Sequence, residues 1–440
     1  MSRAHPPRWI APLLALALLA PAAARAQSPR IQALLAEVRE DRIKKDVADL
    51  AGLGSRYALH ADFQKATAMV QDRLRQAGLK PALEPFTVPV SKTETRNVSN
   101  VVAVLPGAMA GRPAIILCAH YDSISPEAVE GRAGARAPGA EDNASGTAAL
   151  LELARVLAGQ RLATEVRLVA FAAEEQILLG SWEMALRLRD QGKLATVQAV
   201  INMDMVGHDP RRQRHLLVDG FQRGRALSAR VGAAAMRYTA LRVSAGIFSE
   251  GRSDHAPFMA LGIPSLTLAS MQWHDYPDYH TPQDLPAGVD PGMVAEVART
   301  ALAAAVLLAG LADGPPVARA GAFVEARPGD VVRLSGRDSF DPRGQTLSYA
   351  WRQVGGPRLA LQPAGAAVSF TPGGPGSYRL ELVASTLDGR RSDPDPVAAL
   401  VEGEGGCALS AQGPGPAGTG LAPGLLLVLA AWRRRERLRY

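Results

Sequence analysis

The chain has 440 residues, 47% of them apolar, and a formal net charge of +7. That length and composition suffice for two or three domains with cores of their own. The charge does not mark a nucleic-acid binder. It resides in Arg3, Arg8 and Arg25 at one end and in Arg433, Arg434, Arg435, Arg437 and Arg439, set against Glu436, at the other, leaving a neutral body of interspersed signs with no basic face.

Residues 1–26 have the form of an export signal. Arg3 and Arg8 precede an apolar stretch over 9–20, and Ala24-Arg25-Ala26 puts small residues where a signal peptidase inspects. The stretch falls short of the about 20 residues a spanning helix needs. The two cysteines, Cys118 and Cys407, lie in different modules, so no disulfide framework is expected, and Cys118 belongs in a buried strand.

Apolar residues at helical spacing predict a helix over 62–77, stopped by Gly78, and strands follow over 83–90 and 98–105. Strands and helices then alternate: strand 113–119, helix 147–158 opened by Asn143 or Ser145, strand 166–172, helix 181–191, strand 197–203, helix 227–238, strand 263–269 and a long helix 294–311. Continuous apolar strands between helices imply an α/β domain over 27–312 with a mostly parallel central sheet flanked by helices. Composition shifts after Asp313. Short β-type runs at 331–335, 347–354 and 378–385, set between Gly, Pro and Asp, predict a small β-sandwich over 313–402, with Tyr378, Leu380, Leu382 and Ala384 on one face and Trp351 as a core anchor. Residues 403–440 hold a Gly-rich spacer, Cys407, a second apolar run and the basic end.

Chemistry-bearing side chains gather at the carboxyl ends of the predicted strands, where open α/β sheets place their sites. His120 ends one strand, and Asp122, two residues on, is placed to accept its second imidazole N–H. Asp142 lies in the Gly-Ala-Glu-Asp-Asn-Ala-Ser-Gly loop over 139–146; alone it would cap the next helix. Glu174 and Glu175 are adjacent carboxylates at the end of a buried strand, which repel unless a cation is near. Asp204 ends another strand, and His280 precedes a Pro-containing turn. Two imidazoles and three carboxylates make a ligand set suited to zinc, with one carboxylate left as a base, and an aspartate can bridge a metal pair.

The ordered motifs His-Tyr-Asp-Ser, Gly-Ala-Glu-Asp-Asn-Ala-Ser-Gly, Ala-Glu-Glu, Asn-Met-Asp-Met and Tyr-His-Thr-x-x-Asp resemble the secreted co-catalytic dizinc aminopeptidases of the bacterial leucyl aminopeptidase type over residues 30–312. The resemblance implies two Zn²⁺ per chain, one bound by His120 and Asp204, the other by Glu175 and His280, with Asp142 bridging. It also implies Glu174 as general base, Asp122 as support for His120, Tyr279 as an oxyanion donor, and peptide or protein N-termini as substrates. Glu141 stands where that family usually has Asp. The segment 246–252 would border the substrate pocket, and Asp254 and His255 would be supporting residues rather than ligands. Residues 315–402 resemble PKD-like or related immunoglobulin-like modules, expected to act as spacers. The C-terminal segment resembles the myxobacterial-type sorting tag, implying processing near Cys407 and retention at the cell surface, with contact to a membrane surface through that segment. Other readings of the scaffold are a carboxypeptidase or dipeptidase, a one-zinc glutaminyl cyclase-type acyltransferase, and a non-catalytic adhesion protein.

Overall fold

The computed structural model describes residues 27–403, apart from 61, 92, 133, 221–223 and 247–251. The expected export signal, Cys407 and the C-terminal sorting segment therefore lie outside the described residues, as does most of the segment expected to border the substrate pocket.

Eight strands form one sheet: β1 (Ala82–Pro89), β2 (Thr95–Leu105), β3 (Ala114–His120), β4 (Val166–Phe171), β5 (Val197–Met203), β6 (His215–Asp219), β7 (Arg242–Gly246) and β8 (Ser265–Ser270), in the order β1-β2-β4-β3-β5-β8-β6-β7. The centre, β4-β3-β5-β8, is parallel, as is β6 with β7; the β1–β2, β2–β4 and β6–β8 pairs are antiparallel. The sheet is thus mixed, which corrects the expectation of a mostly parallel one. The few residues between β1 and β2 leave no room for a crossover and force a hairpin. The short β6, after a polar loop, has too few residues to announce itself by period.

The central strand β3 is buried along its whole length. Its alternate side chains feed two cores: Ile115, Leu117 and Ala119 join α1 (Pro29–Ala36), α2 (Glu40–Gly52), α3 (Phe63–Gln76), α5 (Gly146–Ala158), α7 (Arg225–Tyr238) and α9 (Pro291–Ala309) on one face, while Ile116 and Cys118 meet α6 (Leu179–Asp190) and α8 (His255–Ala260) on the other; the single turn α4 (Pro126–Val129) lies in the loop after β3. Cys118 is the buried strand residue expected. The helix α9 is long and apolar enough to cross a membrane, but 83% of that stretch is buried against the fold, as suits a core helix. Asp290 caps it by accepting the N–H groups of Gly292 and Met293.

Seven further strands make the sandwich. Three, β10 (Val332–Ser335), β13 (Ala367–Phe370) and β12 (Gln362–Ala364), face four, β11 (Leu347–Gly355), β14 (Gly376–Thr386), β15 (Asp395–Val401) and β9 (Val324–Ala326). Tyr378, Leu380, Leu382 and Ala384 are buried on one face of β14, as the alternation requires. Trp351 only packs at the edge of this core, its indole N–H on the Ala366 carbonyl. The sandwich is docked on the α/β domain through charged pairs: Arg230 of α7 with Asp395 at 2.8 Å and Arg237 with Asp393 at 2.7 Å. The buried Arg319 donates to the Leu308 carbonyl at the end of α9.

Candidate active site

His120, at the carboxyl end of β3, is buried, and its carbonyl accepts the Thr147 hydroxyl at 2.6 Å. The parallel neighbours of β3 bring Glu174 and Glu175 after β4 and Asp204 after β5 to the same edge of the sheet. The loop carrying Asp142 is pressed against β5 because α5 begins at Gly146: a Cβ there would lie 2.2 Å from the Met203 carbonyl oxygen, so only glycine permits this approach. Asn143 locks the contact, donating to that carbonyl at 2.9 Å and accepting the Gly146 N–H at 2.8 Å. The Asn143 side chain thus opens α5, while the Ser145 hydroxyl instead donates to the Glu141 carbonyl.

The two oxygens of Asp142 face different imidazoles. Oδ1 lies 3.2 Å from His120 Nε2, and Oδ2 lies 3.0 Å from His280 Nε2. His120 Nε2 is also 3.3 Å from Asp204 Oδ1, and His280 Nε2 is 3.1 Å from Glu175 Oε2. All five expected ligands therefore converge, in two groups that share one aspartate. Glu174 lies with His120 and Asp204, their donor atoms within 4.8 Å of one another. Tyr279 is 44% exposed and stacks on His280 with ring centroids 3.7 Å apart, so it stands at the mouth of the site.

The electrostatics are those of a site made for cations. Glu174 is pushed well above the ordinary carboxyl range by burial and by Glu175 and Asp204. Burial and the neighbouring Asp142 raise Glu175 to about 8. Burial alone would lower the imidazole of His280, but its bonds to Asp142 and Glu175 raise it to about 10. Burial likewise opposes the charged His120, yet Glu174 and Asp204 carry it well above its usual value. The carboxylates around both rings thus favour positive charge at the centre of the site. Zinc fits this donor set. Facing donors lie 3.0–3.3 Å apart, near the roughly 3.3 Å edge of a tetrahedral zinc with bonds of about 2.0–2.1 Å. Glu175 Oε1 and His120 Nδ1 are buried without a hydrogen-bond partner among the described residues.

Residues 100–305 match Peptidase family M28. Among curated relatives, the chain is 34% identical over 195 residues to aminopeptidase YwaD of Bacillus subtilis, covering 42% of this chain and 39% of that protein. It is 34% identical over 191 residues to a probable zinc metalloprotease of Pyricularia oryzae, covering 40% and 37%. The chain thus spans about two-fifths of the length of these curated relatives. The crystal structure of the LapA aminopeptidase of Legionella pneumophila shares the fold, with a TM-score of 0.55 at 24% identity over 64% of this chain and 74% of that one. The α/β domain is therefore similar in sequence to that peptidase family and in fold to a solved aminopeptidase.

Other residues that build the site carry no signal of their own in the sequence. Arg56 is wholly buried and donates to the carbonyls of Tyr121, Pro138 and Gly139, pinning the His120 strand end to the Asp142 loop. Burial holds its guanidinium down at about 10 against the pull of nearby carboxylates. Ser253 accepts from Asn202 at 2.7 Å and donates to Asp204 Oδ2 at 2.6 Å. Asp122 stands beside His120, its Oδ1 3.6 Å from Nδ1, within reach of an ion pair with the ring, and the same carboxylate also accepts the N–H groups of Glu174 and Glu175. His255 is wholly buried, neither of its ring nitrogens has a hydrogen-bond partner among the described residues, and it is in neither ligand group.

Proposed function

We propose that this chain is a metallo-aminopeptidase that uses two zinc ions to remove N-terminal residues from peptides. The observation that carries the reading is the split of Asp142, one oxygen toward each imidazole. A one-ion site would not need it, which disfavours the one-zinc cyclase alternative. His120 and Asp204 would hold one ion, Glu175 and His280 the other, and Asp142 both. When bound, the ions supply Lewis acidity that brings the pKa of water down toward about 7.

Glu174 is the one carboxylate of the cluster left free for proton transfer. It takes the proton of the attacking water and returns it to the leaving amine. Tyr279, held by its stacking on His280, places a hydroxyl at the mouth of the site to donate to the oxyanion. The surrounding carboxylates favour a free, cationic α-amine, which would confine cleavage to the first residue of the substrate. The chain's two ends support an exported protein, led out by residues 1–26 and retained at the cell surface through the segment after 403, where it would meet a membrane surface. The sandwich, PKD-like in its motifs, would position the catalytic domain. Hydrolysis of aminoacyl-nitroanilides by purified protein, with zinc counted in parallel, tests the reading. Two zincs and activity abolished by Glu174→Ala are expected; absence of hydrolysis in zinc-loaded protein would overturn it.

A further inference from the structure

Three buried carboxylates outside the ligand set share one geometry. Asp122 accepts the N–H groups of Glu174 and Glu175 at 3.1 and 3.2 Å. Asp284 accepts those of Glu141 and Asp142 at 2.8 and 3.0 Å. Glu141 accepts those of Gly207 and His208 at 2.9 and 2.8 Å. Each therefore grips two consecutive peptide N–H groups of another loop at the site, by charge-assisted bonds that are stronger than neutral ones. The three carboxylates are at most 1% exposed, so little solvent competes for these bonds.

The grips link the ligand loops in a definite order. Asp284 lies four residues beyond His280 and holds the loop of Asp142. Glu141, next to Asp142, holds the loop that follows Asp204. Asp142 is thus tied on one side to the turn of His280 and on the other to the strand end of Asp204. Tyr276 donates its hydroxyl to Asp284 at 2.7 Å and fixes that carboxylate in turn. The Ser145 hydroxyl reinforces the second tie by accepting the Val206 N–H at 3.2 Å.

We infer that Asp284 and Glu141 are positioning residues that each set one half of the metal site: Asp284 the spacing of Asp142 from His280, Glu141 the spacing of Asp142 from Asp204. The inference rests on the dizinc reading above. It differs from a general structural role in one respect. A residue that merely supports the fold weakens both ions alike, whereas a grip on one side of the bridge weakens one ion and spares the other.

The isosteric variant Asp284→Asn replaces one of two acceptor oxygens by an N–H₂ group that cannot accept, and Glu141→Gln removes the charge from the oxygen, Oε1, that accepts both N–H groups. Full-length protein stripped of metal is titrated with zinc against a competing chelator, and ions are counted by elemental analysis. In each variant one of the two ions should bind about 10- to 100-fold more weakly, the usual cost of losing an outer partner of a metal ligand, while the other keeps its affinity. In a His280→Ala background, which already lacks one half, Asp284→Asn should add nothing, whereas Glu141→Gln should still weaken the remaining ion. Wild-type affinity for both ions in the folded variants, or equal weakening of both ions by each, would overturn the inference. Should Asp284→Asn fail to fold, Tyr276→Phe decides: it leaves the carboxylate in place, removes one donor to it, and should weaken one ion in the same direction by less; unchanged binding would count against the inference. The two readings fail separately. Wild-type protein that binds two zincs but cleaves no aminoacyl substrate would end the aminopeptidase reading alone, and active wild-type protein with unaltered zinc binding in both variants would end this one alone.

Discussion

Both the strand-end site and the seam between the two domains hold buried charge, but they treat it differently. At the seam each acid has a cation of its own: Asp395 has Arg230, and Asp393 has Arg237. Within the sandwich, Asp341, with a wholly buried side chain, has Arg390 at 2.8 Å. At the site, Asp122, Glu141 and Asp284 grip peptide N–H groups, while Asp142, Glu174, Glu175 and Asp204 crowd around two imidazoles. Arg56, the buried guanidinium among them, spends its donors on carbonyls. Charge matched within the protein is architecture. Charge left unmatched at the ends of strands is a demand for ions from outside.

The largest test of that contrast is Glu174→Ala. It should lower kcat by about 10²–10⁴-fold, the usual contribution of a general base, with zinc content unchanged; loss of zinc instead would make Glu174 a ligand. Next is His255, whose imidazole burial depresses to about 4. The fold keeps this ring neutral, and the unfolded chain takes up its proton near pH 6.5. The stability it confers is therefore present above about pH 6.5 and is lost as pH falls toward 4, an effect of about 3 kcal/mol. Urea unfolding of zinc-free protein at pH 7.5 and 5 should show a smaller acid loss in His255→Gln than in wild type. At the seam, Asp395→Asn should cost about 1–3 kcal/mol of stability, as for a hydrogen bond to a charged group, with kcat unchanged; a fall in kcat would show that the seam reaches the site. The smallest effect is Tyr279→Phe, which keeps the stacking on His280 and removes only the hydroxyl. It should lower kcat by roughly tenfold, as for one hydrogen bond of about 1.4 kcal/mol, with KM little changed.

The expected ligands are legible because metal chemistry restricts residue type, and strand ends are where apolar runs stop. His120, Glu175 and Asp204 stand at such places and Asp142 and His280 in loops beyond them, and the structure gathers all five. The partners that aim them were not legible, because a carboxylate that grips peptide N–H groups leaves no pattern in the residues it grips. Asp284 closes the Tyr-His-Thr-x-x-Asp motif, whose residue types give it no role of its own, and Glu141 shows in the sequence only as a departure from the usual residue. Arg56 acts on carbonyls alone, which any residue supplies. The mixed sheet escaped for a similar reason. Strand direction depends on where a connection returns, and the five residues of β6 offer too short a period to show it.

Gly146 carries one more consequence. Its lack of a side chain lets the backbone of the Asp142 loop touch that of β5. The width of the space between Asp142 and Asp204 is therefore a contact distance between two main chains, already as small as atoms permit. Substitution there can only wedge the walls apart, so drift at this position has one direction open to it, toward a looser chamber.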